Sequence, residues 1–323
     1  MMQAKRAQAL IISVWVLVAL AVIALSLGHR VSMMLRIAAF HRDDIKALYA
    51  AKAGAWFAGT QLIQDTNDYD AHDEDWANNE ELFKKITLDD ADYAFATVSY
   101  QDEEGQTRYG MTDEESRINL NTASKEILAS LFSSCDIEQT RAQELARDIL
   151  YWRGSEAAPP AVSAYYETSL HYKIKQKKFA RIEELMLVKG TQDLDKDTLA
   201  DVLPLLTIYG DGKININTAS SQALLAVALS TGGANQNDAQ AVVNAILATR
   251  TSAPFTSLEN LATTLNLPNP SGAYSLAQAV SGFFTTQSQF FRIEVTGNAR
   301  RVVKDIIAVY SRADKKIVTW QEN

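Results

Sequence analysis

The sequence predicts an α+β protein: one very long N-terminal helix, a β component split between two blocks, and a large, mostly α-helical segment between those blocks. Three observations carry that expectation. Apolar side chains dominate from Ala9 to Leu27 and then recur at helical spacings as far as Ile63, with no proline before Pro159. β-forming residues concentrate in Asp92–Met111 and again from Phe290 to Trp320. Between them, in Asp113–Thr285, an eight-residue motif occurs twice, 96 residues apart.

Composition narrows the function. A chain of 323 residues with 47% apolar residues can build an ordinary core in one or two domains. The formal net charge of −8 argues against a nucleic-acid binder, which needs clustered Lys and Arg to neutralise phosphates. The one basic cluster, Lys173, Lys175, Lys177 and Lys178, reads as a solvated loop. Cys135 is the single cysteine and cannot close an internal disulfide.

The apolar run Ala9–Leu27 contains only Ser13 and Ser26 as polar members, and its length suits the roughly 20 residues that cross a hydrocarbon core. Lys5 and Arg6 before it favour a cytoplasmic N-terminus, although His29, Arg30, Arg36 and Arg42 follow it. A cleaved secretory signal would have a shorter apolar region, about 7 to 15 residues, ending in small residues. Here the helical pattern continues instead, through Leu35, Ile37, Ala38, Ile45, Leu48, Ala51, Ala55, Leu62 and Ile63. One helix from about Ala9 to about Gln64 would reach on the order of 80 Å, half membrane anchor and half amphipathic stalk.

The segment Gln8-Ala9-Leu10-Ile11-Ile12-Ser13-Val14-Trp15-Val16-Leu17, after a short basic leader and a small residue, resembles a type IV pilin-like N-terminus. It is most similar to that of type II secretion system protein K, the large minor pseudopilin. The resemblance implies cutting by prepilin peptidase between Ala7 and Gln8, where the family usually has glycine in the place of Ala7. It also sets Ile12 at the fifth mature position, where most pilins carry a glutamate. A carboxylate in the membrane is costly without a partner, and its lack is typical of the K family.

Beyond the helix, Asp65–Asp75 reads Asp-Thr-Asn-Asp-Tyr-Asp-Ala-His-Asp-Glu-Asp, a turn-rich acidic stretch. It matches the EF-hand pattern only in part and is expected to be a solvated loop. Tyr93–Tyr100 and Thr107–Met111 flank the turn Glu103-Glu104-Gly105 and predict a β-hairpin. Phe290–Gly297, Arg301–Ser311 and Lys316–Trp320 predict closing strands, with Phe291, Ile293 and Val295 alternating onto one face. The pilin arrangement, a helix on an antiparallel sheet, implies that both blocks join in one sheet and that the helical segment is an insertion.

The repeated motif is Arg117-Ile118-Asn119-Leu120-Asn121-Thr122-Ala123-Ser124, returning as Lys213-Ile214-Asn215-Ile216-Asn217-Thr218-Ala219-Ser220. Each copy leads into an apolar helix, Ile127–Phe132 or Leu224–Leu229, then a second helix ending in arginine, Arg141–Arg153 or Asp238–Arg250, and then a short element near Phe179 or Phe255. The alternating Ile118 and Leu120, like Ile214 and Ile216, predict a short extended stretch. Asn121 and Asn217 suit the turn that follows, and Thr122 and Thr218 are expected to cap the helix.

The octet also resembles the start of a helix-hairpin-helix module, which binds DNA backbone through a Gly-x-Gly hairpin. The first copy has Ser133-Ser134-Cys135-Asp136-Ile137-Glu138 there, without glycine; the second has Thr231-Gly232-Gly233-Ala234-Asn235, without a nearby cation. The phosphate-binding chemistry is absent from both. The stretch from Gly110 to Asn121 further resembles the most recognisable internal segment of the K family. Asp113-Glu114-Glu115 is an acid cluster expected on an exposed corner, and His29, His41, His72 and His171 form no catalytic motif, so a non-enzyme is expected.

These readings divide the chain into a leader (1–7), a membrane-spanning part (8–28), a pilin-like helix and first hairpin (29–112), an inserted helical repeat domain (113–285) and closing strands (286–323). The resemblance implies a minor pseudopilin at the tip of the type II pseudopilus, helping to initiate assembly and the export of folded proteins. Its implied partners are the I and J minor pseudopilins, with H as a further neighbour, prepilin peptidase and the inner-membrane secretion platform. It places the chain in the inner membrane, single-pass, with a cytoplasmic N-terminus and a periplasmic head. Some K-family heads bind calcium in the helical domain, and the resemblance transfers no ligand to this sequence. The competing readings are a membrane-anchored DNA-binding protein of an uptake system and a minor pilin of a type IV pilus.

Overall fold

The computed structural model describes residues 2–87, 93–102 and 104–322, with side chains from residue 12 onward. Asp92 and Glu103 lie outside the described residues, and so do the side chains of Ala7 and Gln8 at the expected cleavage site.

A single helix, α1 (Met2–Gln64), accounts for the first fifth of the chain. It ends where Asp65-Thr66-Asn67 offers the backbone side-chain partners outside a helix: Asn67 N–H donates to Asp65 Oδ1. Two stretches of α1 differ in what surrounds them. From Ile12 to Leu35 the described apolar side chains stand exposed. From Asp43 on, one face is covered, and Ala47, Ala50, Ala51, Ala55 and Ala58 are completely buried.

The chain then makes α2 (Glu80–Phe83) and strands β1 (Ile86–Thr87), β2 (Ala94–Val98), β3 (Tyr100–Gln101), β4 (Thr107–Arg108) and β5 (Thr112–Asp113). A helical stretch opens with β6 (Ile118–Asn119), α3 (Lys125–Ser134), α4 (Gln139–Trp152), α5 (Pro160–Thr168), α6 (Lys196–Val202) and β7 (Leu206–Thr207). It continues with β8 (Ile214–Asn215), α7 (Ser221–Leu229), α8 (Gln236–Ser252), α9 (Leu261–Thr264), α10 (Gly272–Val280) and β9 (Phe284–Thr285). Strands β10 (Phe290–Ala299), β11 (Val302–Ser311) and β12 (Lys316–Glu322) close the chain.

The main sheet runs β1-β2-β10-β11-β12, with β5 pairing beside β2 along β10. Both β blocks therefore enter one antiparallel sheet, in the register Val98 opposite Val295 and Ala94 opposite Ala299. Strand β10 alternates buried and half-buried residues along its length, so Phe291, Ile293 and Val295 turn inward. The expected hairpin differs in detail. The ladder across the turn at Gly105 is the short β3–β4 pair, extended by one bond from Gly110 N–H to Val98 O, while the ladders of β2 run to β1 and β10. The longer partner wins because it offers an apolar face as well as a ladder.

Helix α1 lies against β2, β10 and β11. The contact is close because both surfaces are small. A Cβ added at Gly54 would come within 2.6 Å of Ala96 Cβ, and one at Gly59 within 2.7 Å of the Tyr310 ring. The core beneath includes Leu62, Trp76, Phe83, Met111, Phe291, Ile306 and Tyr310, with Trp76 edge-on to Phe291. A second, larger core, from Ile118 to Phe284, holds the helices together and shares no residue with the first.

The acidic stretch Asp65–Asp75, expected to be solvated, is exposed over most of its length but is docked at Asp70 and Ala71. Asp70 is fully buried, and its N–H donates to Thr286 O where the chain returns from the helical stretch. The correction has a physical cause: Arg312, far away in sequence, supplies the counter-charge that lets the carboxylate leave water. The basic residues of 173–178 behave as expected, with Lys173, Lys177 and Lys178 exposed and Lys175 paired to Glu184.

Candidate functional site: the anchor, the paired corners and their junction

The two octets build the same object. Asn119 Oδ1 accepts from Asn121 N–H at 2.8 Å, and Asn215 Oδ1 accepts from Asn217 N–H at 3.0 Å. Asn121 clasps the backbone of Phe179 from both sides, donating to its carbonyl at 3.1 Å and accepting its N–H at 2.7 Å. Asn217 clasps Phe255 the same way, at 3.0 and 2.7 Å. Arg153 donates to the carbonyls of Leu120 and Ala123, as Arg250 does to those of Ile216 and Ala219. Each corner is closed by a short parallel bridge, β6 with β7 and β8 with β9.

The expected caps move by two residues. Ser124 Oγ accepts from Ile127 N–H and Ser220 Oγ from Ala223 N–H, so the serines cap α3 and α7. Thr218 is used elsewhere, donating to Asp113 Oδ2. The clasping asparagines have no signal in sequence beyond their repetition. Replacing Asn121 or Asn217 by Ala strands two backbone groups, so each variant is expected to lose about 2–4 kcal/mol. Urea unfolding of both variants checks this, and a loss under about 1 kcal/mol for either would contradict the clasp.

Where a helix-hairpin-helix module would present free N–H groups to phosphate, this chain supplies its own acceptors. The Glu138 carboxylate caps α4, accepting Thr140 and Arg141 N–H at 3.0 Å each, and these bonds hold its carboxyl below the usual range. Asn235 caps α8 by accepting Asp238 N–H, and the Asp238 carboxylate lies beside it. A phosphate would have to displace a carboxylate in the first corner and face one in the second.

The junction between sheet and helices is where the structure departs most from expectation. Asp113, Glu114 and Glu115, expected on an exposed corner, are 3%, 2% and 5% exposed. Asp113 Oδ2 accepts from Asn215 Nδ2 at 3.0 Å, Thr218 Oγ1 at 2.6 Å and Ser288 Oγ at 2.7 Å, while Oδ1 accepts Glu115 N–H at 2.7 Å. Burial nevertheless pushes its carboxyl up against those bonds. One side chain therefore joins the strand that enters the helical stretch, the second octet and the segment between β9 and β10 that leaves it. Glu114 is held by Thr207 Oγ1 and by Arg117 at 3.1 Å. Burial pushes the Glu115 carboxyl up to about 8, with Asp113, Asp211 and Asp70 adding to the rise.

Three carboxylates among the described residues, Asp65, Asp70 and Glu74, come within 4.8 Å of one another. They lie at the end of α1, outside the helical stretch. Asp65 and Asp70 are bridged by the Arg312 guanidinium, and Glu74 accepts from Asn67, Ala71 and Trp76. This set does not fit calcium, which takes 6 to 8 oxygen ligands whose lone pairs are free for it. The histidines stay apart, with His72 beside Thr218 O and His171 exposed.

Residues 113–211 match the family described as type II secretion system (T2SS), protein K. The matched segment contains the first corner, from the Asp113 hub through β7. The fold is similar to that of a chain in the crystal structure of the GspK-GspI-GspJ complex from the enterotoxigenic Escherichia coli type 2 secretion system. The TM-score is 0.63 at 13% identity, over 88% of this chain and 99% of that one. No curated protein sequence matches the chain.

Proposed function

We propose that this chain, which carries a type II secretion protein K domain, works as a minor pseudopilin at the tip of the periplasmic pseudopilus. The observation that carries the reading is the union of two parts. A continuous α1 whose apolar side chains stand bare from Ile12 to Leu35 packs farther on against a sheet, and a helical domain with a core of its own interrupts that sheet between β5 and β10.

The mechanism follows from shape. The exposed apolar half of α1 holds the chain in the inner membrane by the hydrophobic effect, with the head outside in the periplasm. Neighbouring helices pack side by side, and small residues such as Ala19, Ala21 and Ala24 permit close approach. A head widened by the inserted domain of about 113–285 cannot repeat along a filament, so it ends one. The natural partners are I and J minor pseudopilins, named in the complex that the fold resembles. The work on cargo comes from filament assembly, and the head itself performs no chemistry.

The test is the intact mass of the full chain made with and without prepilin peptidase, followed by its affinity for I and J. Loss of residues 1–7, leaving Gln8, together with micromolar binding is the expected result. An uncut chain that ignores both partners would refute the reading.

A further inference from the structure

We propose that Arg30 and Arg36 form a docking site for anionic phospholipid in the leaflet on the head's side of the bilayer, so that lipid phosphates brace α1 where it leaves the membrane. The inference rests on α1 being a membrane anchor with the head outside, and is independent of the place at the tip.

Charge is divided unevenly along the chain. Residues 1–42 hold Lys5, Arg6, Arg30, Arg36 and Arg42 and no Asp or Glu, although the whole chain carries −8. Three of those cations follow the apolar run Ala9–Leu27, on the side where the head lies. Cations there oppose the export of the segment that carries them, so their presence calls for a use. Arg42 has one within the fold: it is bound to Asp43 at 2.9 Å, where the head begins to cover α1. Arg30 and Arg36 are exposed, and neither pairs with a described residue.

Six residues of helix rise about 9 Å and turn about 240°. Arg30, Arg36 and Arg42 therefore leave the axis in three directions about 120° apart, and do not line one face that a partner helix could read. A medium that surrounds the helix fits this arrangement, and a headgroup layer is such a medium. The level fits as well. Ala9–Leu27 spans about 28 Å, close to a hydrocarbon core of roughly 30 Å, so Arg30 emerges among the headgroups. Arg36 lies farther out, but helical side chains lean toward the N-terminus, which here means back toward the bilayer.

Between the two arginines stand Val31, Met33, Met34 and Leu35, each more than half exposed. Apolar residues bracketed by guanidiniums suit the boundary where acyl chains meet phosphates. A guanidinium fork binds phosphate oxygens two at a time, and each cation near an anionic surface adds to the attraction. The head itself is acidic and is repelled by such a surface, which leaves this collar to hold it.

The experiment places the full chain in phosphatidylcholine vesicles. Electron paramagnetic resonance measures how strongly spin-labelled phosphatidylglycerol is held at the protein surface relative to spin-labelled phosphatidylcholine. Lys5→Gln and Arg6→Gln are present in every sample, so that cations on the other side of the span do not contribute. A preference for phosphatidylglycerol of roughly three-fold or more is expected, and adding Arg30→Gln and Arg36→Gln is expected to bring it close to unity. Near-ultraviolet circular dichroism of the same samples should show an unchanged head, because the head does not cover either position. Equal retention of the two lipids before the arginines are changed overturns the proposal and gives these cations to an acidic protein partner. A preference that survives the double substitution overturns it too. Inorganic phosphate that abolishes the preference, where chloride at the same ionic strength does not, would make free phosphate the ligand and overturn the lipid assignment. A chain cut by prepilin peptidase and bound by I and J, yet blind to lipid, loses this inference alone; one that stays out of the vesicles loses the anchor as well.

Discussion

Gly297→Val is expected to lift α1 from the sheet and to cost the head about 3 kcal/mol or more of its stability. Gly297 sits mid-strand in β10, opposite Lys304 on one side and Ala96 on the other. The backbone of α1 passes directly over it. A Cβ there would lie 2.0 Å from Ala47 O, 2.6 Å from Ala51 N and 2.8 Å from Ala51 Cβ. Two of those three atoms are helix backbone, so no side-chain rotation relieves the clash. The helix must lift, and lifting it opens the alanine seam of Ala47, Ala51, Ala55 and Ala58 that buries the sheet. Overfilling a core ordinarily costs about 1–3 kcal/mol, and a clash with backbone belongs at or beyond the upper end. A head of ordinary stability, about 5–15 kcal/mol, has little room for that loss. Gly282→Ala is the matched control, because nothing lies within 4 Å of a Cβ at that position. Limited proteolysis and near-ultraviolet circular dichroism of the full chain provide the measurement. A Gly297→Val protein as resistant as the control would mean that α1 and the sheet do not meet as described.

That seam also shows what a sequence discloses and what it hides. The helix was legible because apolar periodicity is local, and β10 because Phe291, Ile293 and Val295 alternate within a few residues. The partner of β2 was not legible, since Ala94–Val98 and Phe290–Ala299 are separated by the whole helical stretch and only the pilin-like resemblance linked them. The octet was visible as a repeat, yet its capping serines were taken two residues too early. Threonine and serine have similar cap preference, and the winner depends on where the turn through Asn121 ends. Asp113, Glu114 and Glu115 were misjudged for a different reason. Three adjacent acids normally face water, and nothing nearby announces the donors that bury them: Asn215, Thr218 and Ser288 for Asp113, Thr207 for Glu114. Arg312 was equally silent, being one more basic residue at the end of a strand.

Among those buried acids, Glu115 makes the head's stability depend on pH, and Glu115→Gln is expected to remove most of that dependence. Its carboxyl titrates near 4.5 in an unfolded chain and is pushed up to about 8 in the head, chiefly by burial and then by the charges of Asp113, Asp211 and Asp70. The Gln289 N–H opposes the rise without cancelling it. Between those two values the folded head holds a proton that the unfolded chain has released. Folding therefore takes up a proton, and stability falls as pH rises, by up to about 1.4 kcal/mol per pH unit. The fall begins near 4.5, flattens above about 8 and amounts to on the order of 5 kcal/mol in all. Below the unfolded value both states are protonated and the group contributes no slope. A glutamine keeps the shape and a neutral amide in the same space, so the variant should match wild type near the acid end and exceed it at mildly alkaline pH. Some slope should survive, because burial also raises the carboxyls of Asp70 and Asp113. Denaturant titrations of both proteins at several pH values from about 5 to 9 decide the matter. Curves that run parallel would show that Glu115 is ionised throughout, and then the junction must hold a buried negative charge that Asp113 and Asp70 tolerate. Curves that diverge with rising pH would show that the neutral carboxyl is what allows so many acids to share one junction beside Arg117, Arg292 and Arg312.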